Sequence, residues 1–224
     1  MAALVEPRGA RVRELRIVVV DDHVLVRQGL RDLLEPEGIH VVGDTGSAVD
    51  AVPRALELIP DVAVVDVRLA DGTGIEVCRA VQSADPRIRC LLLTGFDDGR
   101  AVRAAVLAGA AGYVPKLIRD HDLANAIRRA AAGESLIAPE RRAAALAGMS
   151  HEALATPLRA GLSPQERSVL DLMGQGMANR EIAGELLIPE EAVSESVSAV
   201  LVKLGFDHRA PGAVLLARPP AVTG

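Results

Sequence analysis

Five polar side chains in this sequence have the types and spacing that phosphoryl chemistry on a carboxylate requires. Asp21 and Asp22 directly follow an apolar run, and Asp66 ends another. A later run ends at Thr94, and Lys116 follows the next. Three carboxylates in one pocket repel one another unless a cation lies among them, and hard oxygen ligands favour Mg²⁺. The set predicts a site in which Asp66 is the nucleophile, a metal neutralises charge, and Thr94 and Lys116 hold phosphoryl oxygens.

Each of these residues also has a simpler interpretation when it is taken alone. An aspartate at the end of a strand is usually a turn residue or a helix cap. Matched chemical groups at successive strand ends are much harder to explain as separate caps. His23, which follows the acidic pair, is interpreted as a helix-start residue rather than a metal ligand.

Short apolar runs that alternate with amphipathic stretches must position these groups. The strand-like runs are Leu15–Val20, Ile39–Gly43, Val62–Asp66, Ile88–Leu93 and Gly112–Val114. The helical patterns are Val24–Leu34, Ala48–Leu58, Ile75–Gln82, Arg100–Ala108 and Asp122–Ala131. This alternation predicts an α/β fold, a five-stranded doubly wound parallel sheet of the flavodoxin-like kind. Functional groups collect at the carboxyl ends of the strands in such a sheet.

From Leu162 onward the pattern is entirely helical. A capping box runs from Ser163 to Glu166, with Pro164 at the first helical position. Helices are predicted over 164–175, 179–187 and 190–204, with a last short one over 210–217. Three short helices with tight turns are typical of a small all-α helix-turn-helix domain.

These patterns divide the chain into two domains. We predict a first domain over 13–133, a linker over 134–160 with one short helix, and a helix-turn-helix domain over 161–218. The net charge of −5 is spread over both domains. Neither domain therefore has the bulk positive charge of a basic nucleic-acid module.

Composition narrows the classes of protein that the chain can belong to. Half of the 224 residues are hydrophobic, which suffices for a folded core, whereas aromatic residues make up only 1%. Stacking on single-stranded nucleic acid has almost no residues to use. The two cysteines give neither a disulfide framework nor a zinc cluster. No apolar run approaches the length of a membrane span, so we expect a soluble cytoplasmic protein without a membrane partner.

Both halves of the chain carry motifs of a known family. Segments 60–72, 91–95 and 107–113 resemble a response-regulator receiver domain, which would span 15–133. The tail Leu162–Arg209 resembles a LuxR-type helix-turn-helix. The pair is the architecture of the NarL/FixJ family of two-component response regulators, and the receiver segments look most like the dormancy and hypoxia regulators of that family.

The resemblance implies a mechanism and a ligand set. A partner histidine kinase would transfer a phosphoryl group to Asp66 in the presence of Mg²⁺. The implied magnesium ligands are Asp21, Asp22, Asp66 and the backbone carbonyl of Arg68. Thr94 and Tyr113 would be the switch pair that reorganises the fourth helix and the fifth strand, although Tyr113 has an alternative as a simple packing aromatic. Weak autodephosphorylation is the only catalysis expected, so the chain is not predicted to be an enzyme.

Two positions depart from the receiver pattern. Ala70 replaces the proline usual in the loop after the phosphoacceptor, and Pro115 precedes Lys116 where the family has an aliphatic residue. A sheet tolerates proline only at the edge or end of a strand, so Pro115 predicts altered geometry beside Lys116. All five chemical groups remain, and phosphorylation is still expected.

The helix-turn-helix region keeps the family's fold residues but not its charge. In the stretch Gly174–Ala183, Ala178 replaces the capping hydroxyl, a change that costs about 1 kcal/mol of helix stability. The third helix is the one that the family lays in the major groove, and its apolar positions are kept. Its nucleic-acid face reads Glu191, Ser194, Glu195 and Ser196 instead of the usual lysine and asparagine. Between Leu162 and Arg209 four basic residues stand against eight acidic ones, a net charge of −4.

Few cations remain to neutralise DNA phosphates. The candidates at positions where the family contacts the DNA backbone are Arg180, Lys203 and Arg209. Each phosphate contact contributes about −0.9 to the log–log salt slope, and glutamates beside phosphates add repulsion. The family's fourth helix supports dimerisation, but Pro211 and Gly212 fall at its start here. Homodimerisation is therefore left open.

Three hypotheses follow, and they separate at the DNA. The first is a phosphorylation-controlled transcription factor, which the architecture favours. The second is a receiver whose degenerate, acidic helix-turn-helix does not bind DNA alone and acts through a protein partner. The third, an unrelated doubly wound enzyme, is weak because the sequence has no glycine-rich phosphate loop and no catalytic triad. A sensor histidine kinase is a partner under the first two, whereas DNA is a direct partner only under the first.

Overall fold

The computed structural model describes residues 14–95, 99–116, 120–147 and 161–206. The main strands of the first domain are β1 (Leu15–Val20), β2 (Ile39–Thr45), β3 (Val62–Asp66), β6 (Arg89–Thr94) and β7 (Gly112–Pro115). They pair in parallel in the order β2-β1-β3-β6-β7. A small hairpin that the sequence pattern did not predict follows β3, formed by β4 (Arg68–Leu69) and β5 (Gly72–Thr73).

Helices cover both faces of this sheet, as the sequence predicts. They are α1 (Val24–Leu34), α2 (Ala48–Leu58), α3 (Gly74–Ala84), α4 (Gly99–Ala108) and α5 (Asp120–Ala131). Alternate residues of β1 enter different apolar clusters, because successive side chains of a strand point to opposite faces. Val18 lies in the cluster that contains Ile75 of α3, and Ile17 lies in the one that contains Ile127 of α5. The doubly wound flavodoxin-like architecture is confirmed.

Helix α3 begins directly against the end of β3. The backbone N–H of Gly74 donates to the Val67 carbonyl. A Cβ at Gly74 would collide with the backbone carbonyl oxygen of Asp66, so this position requires glycine. Thr73 and Glu76 cap the helix through a reciprocal capping box. These contacts fix the backbone beside the predicted phosphoacceptor.

The remaining described helices lie after the sheet. They are α6 (Pro139–Ala147), inside the predicted linker, and α7 (Pro164–Gly174), α8 (Asn179–Leu186) and α9 (Glu190–Lys203). The predicted capping box at the start of α7 is present, with Ser163 and Glu166 each accepting the other's backbone N–H. The short helix predicted over 210–217 lies outside the described residues. None of the described helices is long and apolar enough to cross a membrane.

Candidate functional site

The acidic side chains meet where β1 and β3 end. These strands are parallel neighbours, with Val20 opposite Val65, so the residues that follow them lie side by side. One ligand atom from each of Asp21, Asp22, Asp66 and His23 lies within 4.8 Å of the others. Asp21 is fully buried, and Asp66 is 6% exposed. The structure therefore brings the three predicted carboxylates into one pocket.

Lys116 places a cation in this pocket. Its Nζ lies 2.6 Å from Oδ2 of Asp21 and 2.8 Å from Oδ2 of Asp66. Its backbone N–H donates to the carbonyl of Thr94 at 2.8 Å. Pro115 is the last residue of β7, which is an edge strand, so the missing N–H interrupts no inner ladder. The departure at Pro115 thus leaves Lys116 in contact with both carboxylates.

Burial and charge act against each other at this pair. Burial raises the pKa of the Asp66 carboxyl above its ordinary value, and the opposing effect of the Lys116 ammonium does not cancel the rise. Burial alone would lower the pKa of Lys116, but hydrogen bonds to Asp21 and Asp66 raise it overall. Lys116 therefore stays positively charged at neutral pH and stabilises negative charge in the pocket.

The pocket also suits a divalent cation. Oδ1 of Asp22 is buried and has no hydrogen-bond partner within the described parts of the chain. His23 Nδ1 lies 2.6 Å from this oxygen, but without hydrogen-bonding geometry. A buried carboxylate oxygen without a donor is costly unless a cation or a water contacts it. Carboxylate oxygens next to a backbone carbonyl are the ligands that Mg²⁺ prefers.

His23 begins α1, as the sequence predicts. It is the N-cap residue of that helix, and its backbone N–H donates to Oδ1 of Asp21 at 2.9 Å. Its side chain is 69% exposed. Sequence reasoning did not foresee that the exposed imidazole ring would lie at the edge of the acidic pocket.

The two predicted switch residues lie on neighbouring strands. Thr94 ends β6 and is buried, one residue beyond Leu93, which pairs with Asp66 of β3. Tyr113 lies on β7 and is half-buried. The guanidinium of Arg141, on α6, lies over the Tyr113 ring at 5.7 Å from its centroid. The helix in the predicted linker therefore contacts Tyr113, which no local pattern indicated.

The predicted nucleic-acid face of α9 is partly exposed and partly buried. Glu191, Ser194 and Glu195 are exposed, but Ser196 is only 7% exposed. Its hydroxyl accepts from Nε2 of Gln165 at 3.0 Å and donates to the Ala192 carbonyl at 2.8 Å. The placement of Ser196 on the exposed face was wrong, because it lies three and four residues from buried Val193 and Val200 on the packing stripe.

The candidate phosphate-binding cations are engaged inside their own domain. Nζ of Lys203 lies 2.8 Å and 2.6 Å from the two carboxylate oxygens of Glu166. Nε of Arg180 lies 3.6 Å from Oε2 of Glu190. Arg209 lies outside the described residues. Contact with DNA would have to compete with these glutamates for the two described cations.

Comparisons with known proteins agree with this architecture. The family model for the response regulator receiver domain matches residues 17–128, and the model for bacterial regulatory proteins of the luxR family matches 160–216. The chain is 42% identical over 213 residues to the DNA-binding transcriptional activator DevR/DosR of Mycobacterium tuberculosis, an alignment that covers 92% of this chain and 98% of that protein. The chain belongs to the response-regulator family.

Solved structures resemble this response regulator over one or both domains. A two-component response regulator of the LuxR family from an Aurantimonas species matches 56% of this chain and 91% of its own, with 35% identity and a TM-score of 0.52. RcsB from Salmonella enterica serovar Typhimurium, bound to a promoter in the presence of the phosphomimetic BeF3−, matches 87% of this chain and 94% of its own. Its identity is 25% and its TM-score 0.51. A receiver followed by a LuxR-type helix-turn-helix is the NarL/FixJ architecture, so the resemblance drawn from the motifs is confirmed.

Proposed function

We propose that this response regulator accepts a phosphoryl group on Asp66 from a sensor histidine kinase and controls transcription through its helix-turn-helix domain. The observation that supports this most directly is the ammonium of Lys116, placed between Asp21 and Asp66 at the end of β3. A carboxylate oxygen of Asp66 attacks phosphorus, the bond to the kinase's histidine nitrogen breaks, and a phosphorus–oxygen bond forms. The Lys116 ammonium and the Thr94 hydroxyl hold phosphoryl oxygens.

We propose Mg²⁺ as the cofactor of this transfer. The groups that would hold it are Asp21, Asp22, Asp66 and the backbone carbonyl of Arg68, and the buried Oδ1 of Asp22, which accepts no hydrogen bond from the described residues, supports a cation there. When bound, the ion neutralises charge on the phosphoryl oxygens. Thr94 and Tyr113 would then pass the change in the pocket to α4 and, through Arg141, to the linker helix.

We propose double-stranded DNA as the target of the second domain. The relative in Mycobacterium tuberculosis is described as a DNA-binding transcriptional activator, which favours the transcription-factor hypothesis over action through a protein partner alone. The acidic face of α9 predicts weak binding to DNA. The ion pairs of Arg180 with Glu190 and of Lys203 with Glu166 also leave few free cations among the described residues of this domain, so we expect a shallow dependence of affinity on salt. A second copy of the chain on the same DNA would compensate, because two weakly bound domains act as one bivalent ligand.

The proposal is tested by fluorescence anisotropy on random and promoter-derived duplexes at ~50 mM salt, where electrostatic binding is strongest. The full chain is titrated with and without a beryllofluoride mimic of the phosphoryl group. Binding that tightens with the mimic supports the proposal. An absence of binding in both states, with Asp66 still phosphorylated, overturns its DNA component and leaves the receiver component intact.

A further inference from the structure

A buried arginine joins the receiver to the helix-turn-helix domain. Arg79 of α3 is 2% exposed. Its Nε donates to Oδ1 of Asn179 and its Nη2 to the Met177 carbonyl, each at 2.8 Å, and both acceptors belong to the second domain. Its Nη1 donates to the carbonyl of Leu107 on α4, also at 2.8 Å. One guanidinium therefore links α3, α4 and the start of α8.

The hydrogen bonds of this contact stabilise the buried charge of Arg79. Within the described parts of the chain, no carboxylate lies within ion-pair distance of the guanidinium, so three uncharged oxygens replace its hydration. Burial lowers the pKa of Arg79 to about 10, which leaves it protonated at neutral pH. A buried cation is tolerated when hydrogen bonds replace its hydration, and each of the three guanidinium nitrogens of Arg79 donates one such bond. Two of the three acceptors are lost to Arg79 if the domains separate.

The same face of α3 makes a second bond across the interface. Ser83 lies one helical turn beyond Arg79, and its hydroxyl accepts the backbone N–H of Arg180 at 2.8 Å. Arg180 is the second residue of α8, whose N-cap is Ala178. The N–H groups of the second and third helical residues are the ones that an N-cap side chain normally satisfies. Ala178 has no oxygen to offer, so Ser83 of the receiver takes that role.

Helices α7 and α8 differ in this respect. At α7, Ser163 accepts the N–H of Glu166 from within the same domain. At α8 only half of the capping box is local, since the carboxylate of Glu181 accepts the N–H of Ala178 at 2.7 Å. The cap that α8 lacks in its own sequence thus comes from the other domain.

We propose that α3 of the receiver caps α8 in trans, and that Arg79 and Ser83 form a latch that holds the helix-turn-helix domain against the receiver. Glu76, one turn before Arg79, extends the latch by accepting a hydrogen bond from Ser198 of α9. The side chains at 76, 79 and 83 lie on one face of α3. While the latch is closed, Ser198 of α9 and the first turn of α8 contact the receiver.

The trans cap is tested by hydrogen–deuterium exchange on the full chain, read by mass spectrometry at the start of α8. Ser83→Ala should speed exchange there about fivefold, the equivalent of losing a cap worth about 1 kcal/mol. Adding Ala178→Ser to Ser83→Ala should restore the slow exchange, because a local cap replaces the lost one. Ser168→Ala is the control, since within the described residues that hydroxyl donates only to the Pro164 carbonyl of its own helix. Unchanged exchange in Ser83→Ala, or no restoration in the double variant, overturns the trans cap.

The latch is tested by small-angle scattering on the same variants and on Arg79→Met. Arg79→Met should increase the radius of gyration, because the domains no longer share the buried guanidinium. The double variant Ser83→Ala with Ala178→Ser should have the same radius of gyration as Ser83→Ala, while the start of its α8 stays protected from hydrogen exchange. Arg87→Met is the control, since Arg87 is exposed and, in the part of the chain that the structure describes, pairs only with Asp85. An Arg79→Met protein as compact as the parent, with its helix content intact by circular dichroism, overturns the latch.

Discussion

The chain has two lysines, Lys116 and Lys203, and each pairs with carboxylate groups in a different domain. Lys116 lies between the carboxylates of Asp21 and Asp66, which lie at the ends of two different strands of the receiver. The Asp21 side chain is fully buried. Lys203 lies equally close to Glu166, but both belong to the helix-turn-helix domain and the lysine side chain is 38% exposed. The receiver pair lies at the proposed phosphorylation site, whereas the pair in the helix-turn-helix domain occupies a cation that DNA could use.

This difference between the two domains distinguishes residues that stabilise a fold from residues that contact a ligand. The packing stripe of α9 is intact, with Val193, Val197 and Val200 buried. Its exposed side has exchanged cations for Glu191 and Glu195. Surface substitutions of this kind change stability little, so a domain can keep the helix-turn-helix fold while its affinity for DNA falls. In the receiver Asp21 and Asp66 are themselves buried and paired with Lys116, so fold and proposed chemistry are less separable.

The largest effect is expected at the receiver nucleophile. Asp66→Asn removes the carboxylate oxygen that attacks phosphorus, so incorporation of acid-labile phosphate from a small-molecule donor should fall to background. Asp122→Asn, a change at an exposed carboxylate on α5, should leave incorporation unchanged. Persistent labelling of Asp66→Asn would place the phosphoacceptor elsewhere.

The next largest effect tests the acidic face. Combining Glu191→Lys, Ser194→Lys and Glu195→Asn adds four positive charges, and affinity for random duplex DNA at ~50 mM salt should rise about 100-fold. The measurement is fluorescence anisotropy. A control with Glu57→Lys and Glu185→Lys adds the same charge away from this face and should rise far less. Equal gains in both proteins would show that net charge, not the face of α9, limits binding.

A smaller effect is expected when the buried ion pairs are broken. Lys116→Met leaves Asp21 and Asp66 without their cation, and the free energy of unfolding should drop by about 3 kcal/mol. Millimolar Mg²⁺ should recover more stability in this variant than in the parent, because metal and lysine neutralise the same carboxylates. Urea denaturation with and without Mg²⁺ measures both quantities. No difference in the Mg²⁺ response between the two proteins contradicts a shared cation site.

The smallest effect is expected at the exposed pair. The hydrogen bond from the Lys203 ammonium lowers the pKa of the Glu166 carboxyl below its ordinary value. A carboxyl whose folded pKa is depressed contributes stability above its unfolded pKa and loses it as pH falls through the folded value. Lys203→Met should therefore cost less than about 1 kcal/mol at pH 7, with the cost disappearing below pH ~4. Thermal melts of parent and variant across this range test the sign, and a cost that grows on acidification would reverse it.

Local sequence pattern was sufficient for the main elements of the receiver and for which side chains meet in the acidic pocket. The bounds of β1, β3, α1 and α2 agree with the predicted ones, because strand and helix periods report directly which side chains are buried. Asp21, Asp66 and Lys116 were expected together because parallel strands end at one edge of a sheet. The β4–β5 hairpin escaped prediction because two-residue strands carry no period to detect.

Only the tertiary structure determined which residues from distant parts of the chain contact each element. The sequence shows that Ala178 lacks a capping oxygen, but not that Ser83, distant in the chain, supplies one. It also shows an arginine at position 79, and a charged residue on a helix is normally expected to be exposed. In the structure Arg79 is buried, and its guanidinium donates to three carbonyl oxygens. Periodicity measures how a residue relates to its own element, while hydrogen bonds between domains depend on the packing of distant segments. The order of residues along this chain therefore determined its elements and which side chains meet in the acidic pocket, whereas packing between distant segments determined how its two domains are held together.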